Sequence, residues 1–370
     1  VPRERMNVAT ALENYGIDSV AIMRISRRFE AEFGELSKTL LYEYQTIRDL
    51  AAYFHENYAD HFERAHSAED NSVDNKTAEL AGHNDILVPI EHPVNEQVAI
   101  IGISGRYPQA DNLHTLWDNL VSGKDAISEI PQDRWNHEIY FDADKNRVGK
   151  SYSKWGGFLS DIKGFDPLFF NIPPREANHI DPQERQFLQT VWHAIEDAGY
   201  TRQALSDARV GVYAGVMWGQ YQLFGSSEQQ LADGTIPPPA SFSSIANRVS
   251  YVMNFNGPSL AVDTMCSSSL TAIHLARRAL LNGECDYAIA GGVNLIVHPA
   301  RYLQLCYEKF LSTDGRCRSF GAGGDGYVPG EGVGAVILKP LGKAIEDGDH
   351  IYGVLLGSAI NHGGKTNGYR

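Results

Sequence analysis

Cysteine is scarce in this chain: four thiols in 370 residues, Cys266, Cys285, Cys306 and Cys317. They are too few and too widely spaced for a disulfide scaffold, and none forms a CxxC pair, which excludes a stapled fold and a cysteine metal site. No His/Cys/Asp/Glu group has metal-ligand spacing, so no metal is expected. Positive charge is also short. Against 46 acidic residues stand 32 basic ones, a net −14, which argues against a nucleic-acid partner. No run reaches the roughly 18 apolar residues of a membrane span. The N-terminus, Val1-Pro2-Arg3-Glu4-Arg5, has no signal-peptide hydrophobic region, so no membrane partner is expected. Gly321–Gly326 lacks the GK[ST] of a phosphate loop, and Gly102–Gly105 lacks a full GxGxxG; both read as tight turns beside an active site. What is present, 43% hydrophobic and 21% charged residues, is the composition of a globular protein of two to three domains, expected in the reducing cytoplasm.

Charge marks the domain organisation. Residues 1–60 carry 7 basic and 10 acidic side chains, and residues 61–94 carry 2 and 7. The second stretch has no helical or strand period and reads as an acidic, extended linker. Ahead of it lies a small helical module over 1–60. Apolar residues recur at Ile22, Ile25, Phe29 and Phe33, a short piece follows at 36–44, and Thr46 caps a last helix. That helix has Asp49 in the capping-box position and Ile47, Leu50, Ala51 and Phe54 on one face. From residue 95 to 370 the pattern changes to an α/β alternation. Strands are predicted at 97–104, 210–216, 259–265, 287–297, 334–341 and 352–360, apolar enough for burial on both faces. Helices are predicted at 182–198, 243–254 and 266–281, and residues 106–181 read as insertions around the covered sheet.

The segment Asp263-Thr-Met-Cys-Ser-Ser-Ser-Leu270 joins a predicted strand to a predicted helix. It places Cys266 at or beside the helix N-terminus, where the helix dipole favours a thiolate. The N–H groups that follow can face an oxyanion, and three small serines leave room for a thioester. The plain alternative is a buried, inert thiol. That reading fits Cys285, Cys306 and Cys317, which lack such a setting and are taken as structural.

Asp263–Leu270 resembles the active-site segment of β-ketoacyl synthases, the condensing enzymes of polyketide and fatty-acid synthesis. So do Val98–Pro108, the FNIPPREA stretch of residues 170–177, Ile180–Phe187, Arg318–Tyr327 and Gly330–Gly332. The resemblance implies a thiolase-like layered αβαβα fold, with Cys266 as the nucleophile that accepts an acyl thioester. The family also uses two later histidines, one in a His-Gly-Thr-Gly-Thr segment, and the chain ends at Arg370 before either. His274 and His362 are not substitutes. The domain over 95–370 is therefore expected to be the nucleophile-bearing N-terminal portion, incomplete by itself for condensation.

Upstream, Gly16-Ile-Asp-Ser-Val20 precedes the amphipathic stripe, and Asp18 and Ser19 are ordinary helix caps. With Glu13–Val20 and the TLLYEYQTI stretch of residues 39–47, the module resembles the acyl carrier proteins of modular polyketide synthases, truncated at its start. The resemblance implies that Ser19 bears phosphopantetheine as a covalent cofactor. Together the two parts imply a polyketide-elongating acyltransferase, transferring an acyl group from a carrier to Cys266 and condensing it with a malonyl-carrier. Expected partners are acyl carrier proteins, a second copy in a homodimer, a phosphopantetheinyl transferase and an acyltransferase acting in trans. A non-condensing carrier-binding or docking piece, and a thiolase-fold hydrolase or transferase, are the alternatives.

Overall fold

The structure, a computed structural model, describes residues 97–364, residues 40–58, and Val8, Ile25, Arg28, Phe29, Phe33, Gly34, Leu36 and Ser37. The acidic linker over 61–94 and the Ser19 turn lie outside the described residues. The chain separates into two compact units, Val1–Val88 and Pro89–Arg370.

In the first unit, Thr46 caps helix α1 (Ile47–Asn57), its hydroxyl oxygen accepting the Asp49 N–H at 3.1 Å and donating to the Asp49 carboxylate at 2.7 Å. Asp49 thus reaches back to the hydroxyl, a variant of the expected box. Leu50 and Phe54 are buried with Leu36, Leu40 and Leu41, and Ile25, Phe29 and Phe33 pack against them. Phe54 meets the rings of Phe33 and Phe29 at 4.5 and 4.9 Å between centroids. Ala51 is exposed, not on the buried face; the half-buried Tyr53 takes that place.

The second unit is built on a six-stranded mixed sheet. Its strands are β1 (Val98–Arg106), β4 (Val210–Gly215), β5 (Ser259–Val262), β6 (Tyr287–Asn294), β7 (Gly332–Pro340) and β8 (Gly353–Leu355), in the order β5-β4-β6-β7-β1-β8. β4 pairs in parallel with β5 and β6, and the remaining pairs are antiparallel. A small ribbon of β2 (Ile127–Glu129) and β3 (Trp155–Gly157) lies in the otherwise irregular insertion. All six predicted strands exist, but three stop early, at Val262, Asn294 and Leu355; polar or glycine-containing turns follow the first and the last, while the buried Leu295, Ile296 and Val297 leave the sheet after Asn294. Among the described residues β5 is an edge strand bonded only to β4, and Leu260 is 47% exposed, so burial on both faces fails there.

Helices α2 (Pro182–Asp197) and α3 (Phe242–Met253) cover one face, with Phe187, Leu188, Val191, Ile245 and Met253 against Ile101, Val212, Ile289 and Ile337. Helix α4 (Ser268–Leu281) covers the other, through Ala272, Ala276, Ala279 and Leu280 against Val98, Tyr213, Ala288 and Leu338. Small alanines on that stripe let the helix axis approach the strands closely. The described residues thus form helix, sheet and helix layers of an α/β fold. Gly102, expected in a turn, lies inside β1 beside a bulge. A Cβ there would sit 2.5 Å from the Ala194 carbonyl oxygen, so the glycine serves the seating of α2 on the sheet. No helix among the described residues is long and apolar enough to cross a membrane.

Candidate active site

Cys266 sits on the turn between β5 and α4. The strand ends at Val262 rather than 265, and the helix begins at Ser268 rather than 266, so five residues make the connection. Met265, directly before the cysteine, has φ +58°, a left-handed conformation that costs a non-glycine residue about 1–2 kcal/mol. Side chains around it hold the turn. The Asp263 carboxylate accepts the Met265 N–H at 3.0 Å, and Ser268 Oγ accepts the Thr264 N–H at 3.0 Å while donating to the Met265 carbonyl at 2.6 Å. Ser267 Oγ donates to the Thr264 carbonyl at 2.8 Å, and the Thr264 and Thr271 hydroxyls bond at 3.0 Å. The serines therefore fasten the turn as well as keeping it small. The N–H groups of Ser267 and Ser268, expected to face an oxyanion, are spent within the turn on Thr264 and Met265 carbonyls at 3.3 and 3.2 Å.

The Cys266 thiol is free and exposed, and it opens on a cleft of about 670 Å³ lined also by Ser269, Trp218, Asn294, Arg301 and Glu331. Glycines make the floor. A Cβ on Gly215 would lie 2.7 Å from the Ser269 N, and one on Gly292 would overlap Ser269 Oγ. The start of α4 thus rests directly on the ends of β4 and β6. This close approach presents Cys266 at the end of a parallel strand pair, where open α/β sheets place reactive groups.

The cleft wall has a buried polar frame that sequence reasoning did not find. The Glu331 side chain is fully buried and Arg134 is 2% exposed, with Nη2 to Oε2 at 3.0 Å. The same carboxylate accepts the N–H groups of Leu159 at 2.8 Å and Ile296 at 2.9 Å. Asn294 Nδ2 donates to the Gly330 carbonyl at 2.5 Å, and Arg301 Nη1 donates to Asn294 Oδ1 at 2.7 Å. The Arg301 guanidinium lies 4.7 Å from the Trp218 ring centroid, a cation–π stack. Burial pulls this guanidinium down to about 10, and the charges of Tyr327, Glu331 and Cys266 act on it in the opposite direction. Glu331 lies in the quoted Gly330–Gly332 motif, but Arg301 carries no local signal.

Of the other expected residues, Cys285 and Cys306 are buried. Burial pushes the Cys285 thiol up to about 11, and Cys306 Sγ lies 3.2 Å from Ser151 Oγ. Cys317 is exposed, a correction to its structural reading; its sulfur accepts the Val328 N–H at 3.1 Å. His274 faces Ser358 Oγ at 2.9 Å, and His362 Nδ1 accepts the Gly364 N–H at 2.9 Å; neither lines the cleft. Gly321–Gly326 does not line it either; the glycines of the quoted motifs that do are Gly330 and Gly332, beside the floor glycines Gly215, Gly291 and Gly292.

Residues 95–344 match the model of the β-ketoacyl synthase N-terminal domain, and residues 1–54 match that of the phosphopantetheine attachment site. The second match makes covalently attached phosphopantetheine the cofactor of the N-terminal unit. A serine hydroxyl, as at Ser19, is the chemistry a phosphodiester link requires. The whole chain is 53% identical to polyketide synthase PksL of Bacillus subtilis and 46% identical to polyketide synthase ThaG of Burkholderia thailandensis, spanning 9% and 7% of those proteins. Among solved structures, the oxazolomycin ketosynthase domain OzmH KS7 of Streptomyces albus superposes with a TM-score of 0.72 at 56% identity, over 74% of this chain and 48% of that one. The ketosynthase from module 6 of the bacillaene synthase of Bacillus subtilis gives 0.68 at 47% identity, over 74% and 45%.

Proposed function

We propose that this chain, which belongs to the β-ketoacyl synthase family, is a carrier–ketosynthase portion of a modular polyketide synthase with Cys266 as its acyl acceptor. The observation that carries this reading is the exposed Cys266 thiol at the head of α4, above a glycine floor that leaves the space over it open. In the reaction, the Cys266 sulfur attacks the carbonyl carbon of an incoming acyl thioester. The bond to the departing sulfur breaks, and that thiol leaves with the proton given up by Cys266. In the condensation, a malonyl thioester loses carbon dioxide, its α-carbon forms a bond to the acyl carbon, and the Cys266 thiolate is released. Splitting the reaction at a covalent acyl-cysteine divides one difficult step into two.

Ser19 is the proposed attachment point of phosphopantetheine, which supplies a flexible thiol arm when bound. The carrier is proposed over 1–60, the linker over 61–94 and the ketosynthase over 95–370. Partners proposed on the same grounds are acyl carrier proteins, a phosphopantetheinyl transferase and a trans-acting acyltransferase. The free edge of β5 supports pairing with a second copy across a two-fold axis, the usual geometry of homodimers.

The test is exposure of the folded chain to an acyl thioester of N-acetylcysteamine, followed by peptide mass spectrometry. One acyl group on Cys266, lost in Cys266→Ala, is the expected result. A chain that binds carriers but never acquires an acyl group at Cys266 is a docking piece, and the nucleophile assignment fails.

A further inference from the structure

Among the described residues, Arg301 has no carboxylate ion-paired with it. It is 7% exposed, and the carboxylate whose charge reaches it, Glu331, is already held by Arg134 and two backbone N–H groups. One of its donors goes to the neutral Asn294 Oδ1 at 2.7 Å, and its Nε finds no partner among the described residues. A buried charged donor left unsatisfied is destabilising unless another group completes it. Two fixed surfaces aim the fork: the Trp218 ring on which it stacks, and Asn294, itself tied to the Gly330 carbonyl. Arg301, Trp218 and Asn294 all line the cleft that Cys266 lines. A chain joined to Cys266 has this cleft beside it.

We infer that Arg301 is a specificity residue whose guanidinium receives a hydrogen-bond-accepting oxygen, carbonyl or hydroxyl, carried by the acyl chain on Cys266. The inference rests on Cys266 being the acyl acceptor. Its chemistry follows from the fork: guanidinium only donates, so its complement is an acceptor and never a methylene. An oxygen-bearing chain offers an acceptor to a guanidinium that lines the cleft and has no acidic partner bonded to it among the described residues, while a hydrocarbon chain of the same length offers none. Asn294 and Trp218 are positioning residues, acting through the angle of the fork.

The experiment uses the full chain and three N-acetylcysteamine thioesters of equal chain length: butanoyl, 3-hydroxybutanoyl and 3-oxobutanoyl. Each rate of acylation at Cys266 is divided by the rate of the same thioester with glutathione, which removes intrinsic electrophilicity. The wild-type chain is expected to favour the two oxygenated groups by about tenfold, the size of one hydrogen bond to a charged group. Arg301→Met should bring the ratio close to one, and Arg301→Lys should keep part of it. Should Arg301→Met fail to fold, the wild-type ratio and Arg301→Lys decide. A wild-type ratio near one overturns the proposal, as does an unchanged ratio in Arg301→Met. Labelling at Cys266 that ignores chain oxygen overturns this inference alone, whereas acyl groups that settle on Cys317 overturn the acceptor reading and this inference with it.

Discussion

Glu331 and Arg134, 197 positions apart in the chain, form an ion pair in which both side chains are shut from solvent. The pair joins the insertion to the cleft wall, because the same carboxylate also bonds the N–H groups of Leu159 and Ile296. Breaking one partner strands the other. Arg134→Met should therefore lower the unfolding free energy by about 3–5 kcal/mol, read as a fall in urea midpoint at unchanged slope. The Arg134→Met/Glu331→Gln double variant should recover part of that loss. A single variant within about 0.5 kcal/mol of wild type would contradict the role given to the pair.

The thiols should separate by location. Cys266 and Cys317 are exposed, and Cys285 and Cys306 are not. Iodoacetamide on the folded chain should modify the first two within minutes and the others only in denaturant. Cys266, beside the N-terminus of a 14-residue helix, should react faster than Cys317. Time-resolved peptide mapping gives the order, and modification of Cys285 before Cys266 would reverse the assignment.

Asp181 supplies a pH dependence. It caps α2 by accepting the Gln183 N–H at 2.8 Å, is 4% exposed, and burial raises its carboxyl to about 6 from the ordinary 3.8. Between these values the folded chain holds more proton than the unfolded one, so this residue's contribution to stability falls as pH rises from about 4 to about 6. The penalty above that window has a ceiling of about 3 kcal/mol. Asp181→Asn keeps a capping oxygen without the charge. Its melting temperature should therefore depend less on pH across that window, with the larger gain over wild type at the upper end. Parallel melting curves for the two chains would exclude Asp181 as the source.

Ser19 should take a single phosphopantetheine from a broad-specificity transferase, and Ser19→Ala should take none. The sequence puts Ser19 ahead of an amphipathic stripe, and a helix starting there would tolerate the incoming phosphodiester charge through its dipole. Intact-mass measurement decides between one addition and none, and an addition that persists in Ser19→Ala would move the attachment site elsewhere.

The sheet was legible because its inner strands are continuous apolar runs. Val210–Gly215 is buried at every position, and only a covered strand tolerates such a run. Thr46 and Asp49 announced α1, and Cys266 stood out because its neighbours are small and polar between a strand and a helix. Three things were hidden. The end of β5 lies three residues before the place the sequence suggests, since Asp263 to Met265 look like strand and bend only because serine and aspartate side chains take their backbone bonds. Gly102 looks like a turn residue in the sequence because its reason, the Ala194 carbonyl, comes from α2. Arg301 has no pattern around it; its place depends on a ring from the loop after β4 and an amide from β6. Contacts made only by tertiary packing leave no period in the chain.

Met265 holds φ +58°, and glycine is the residue that adopts such a conformation freely. Replacement by glycine would relieve about 1–2 kcal/mol of strain, while loosening the peptide unit before the proposed nucleophile. With Cys266 in its proposed role, heat resistance and acyl capture would select in opposite directions at this position. A library of variants sorted by survival on heating would enrich glycine at 265, and the same library sorted by acylation at 266 would discard it.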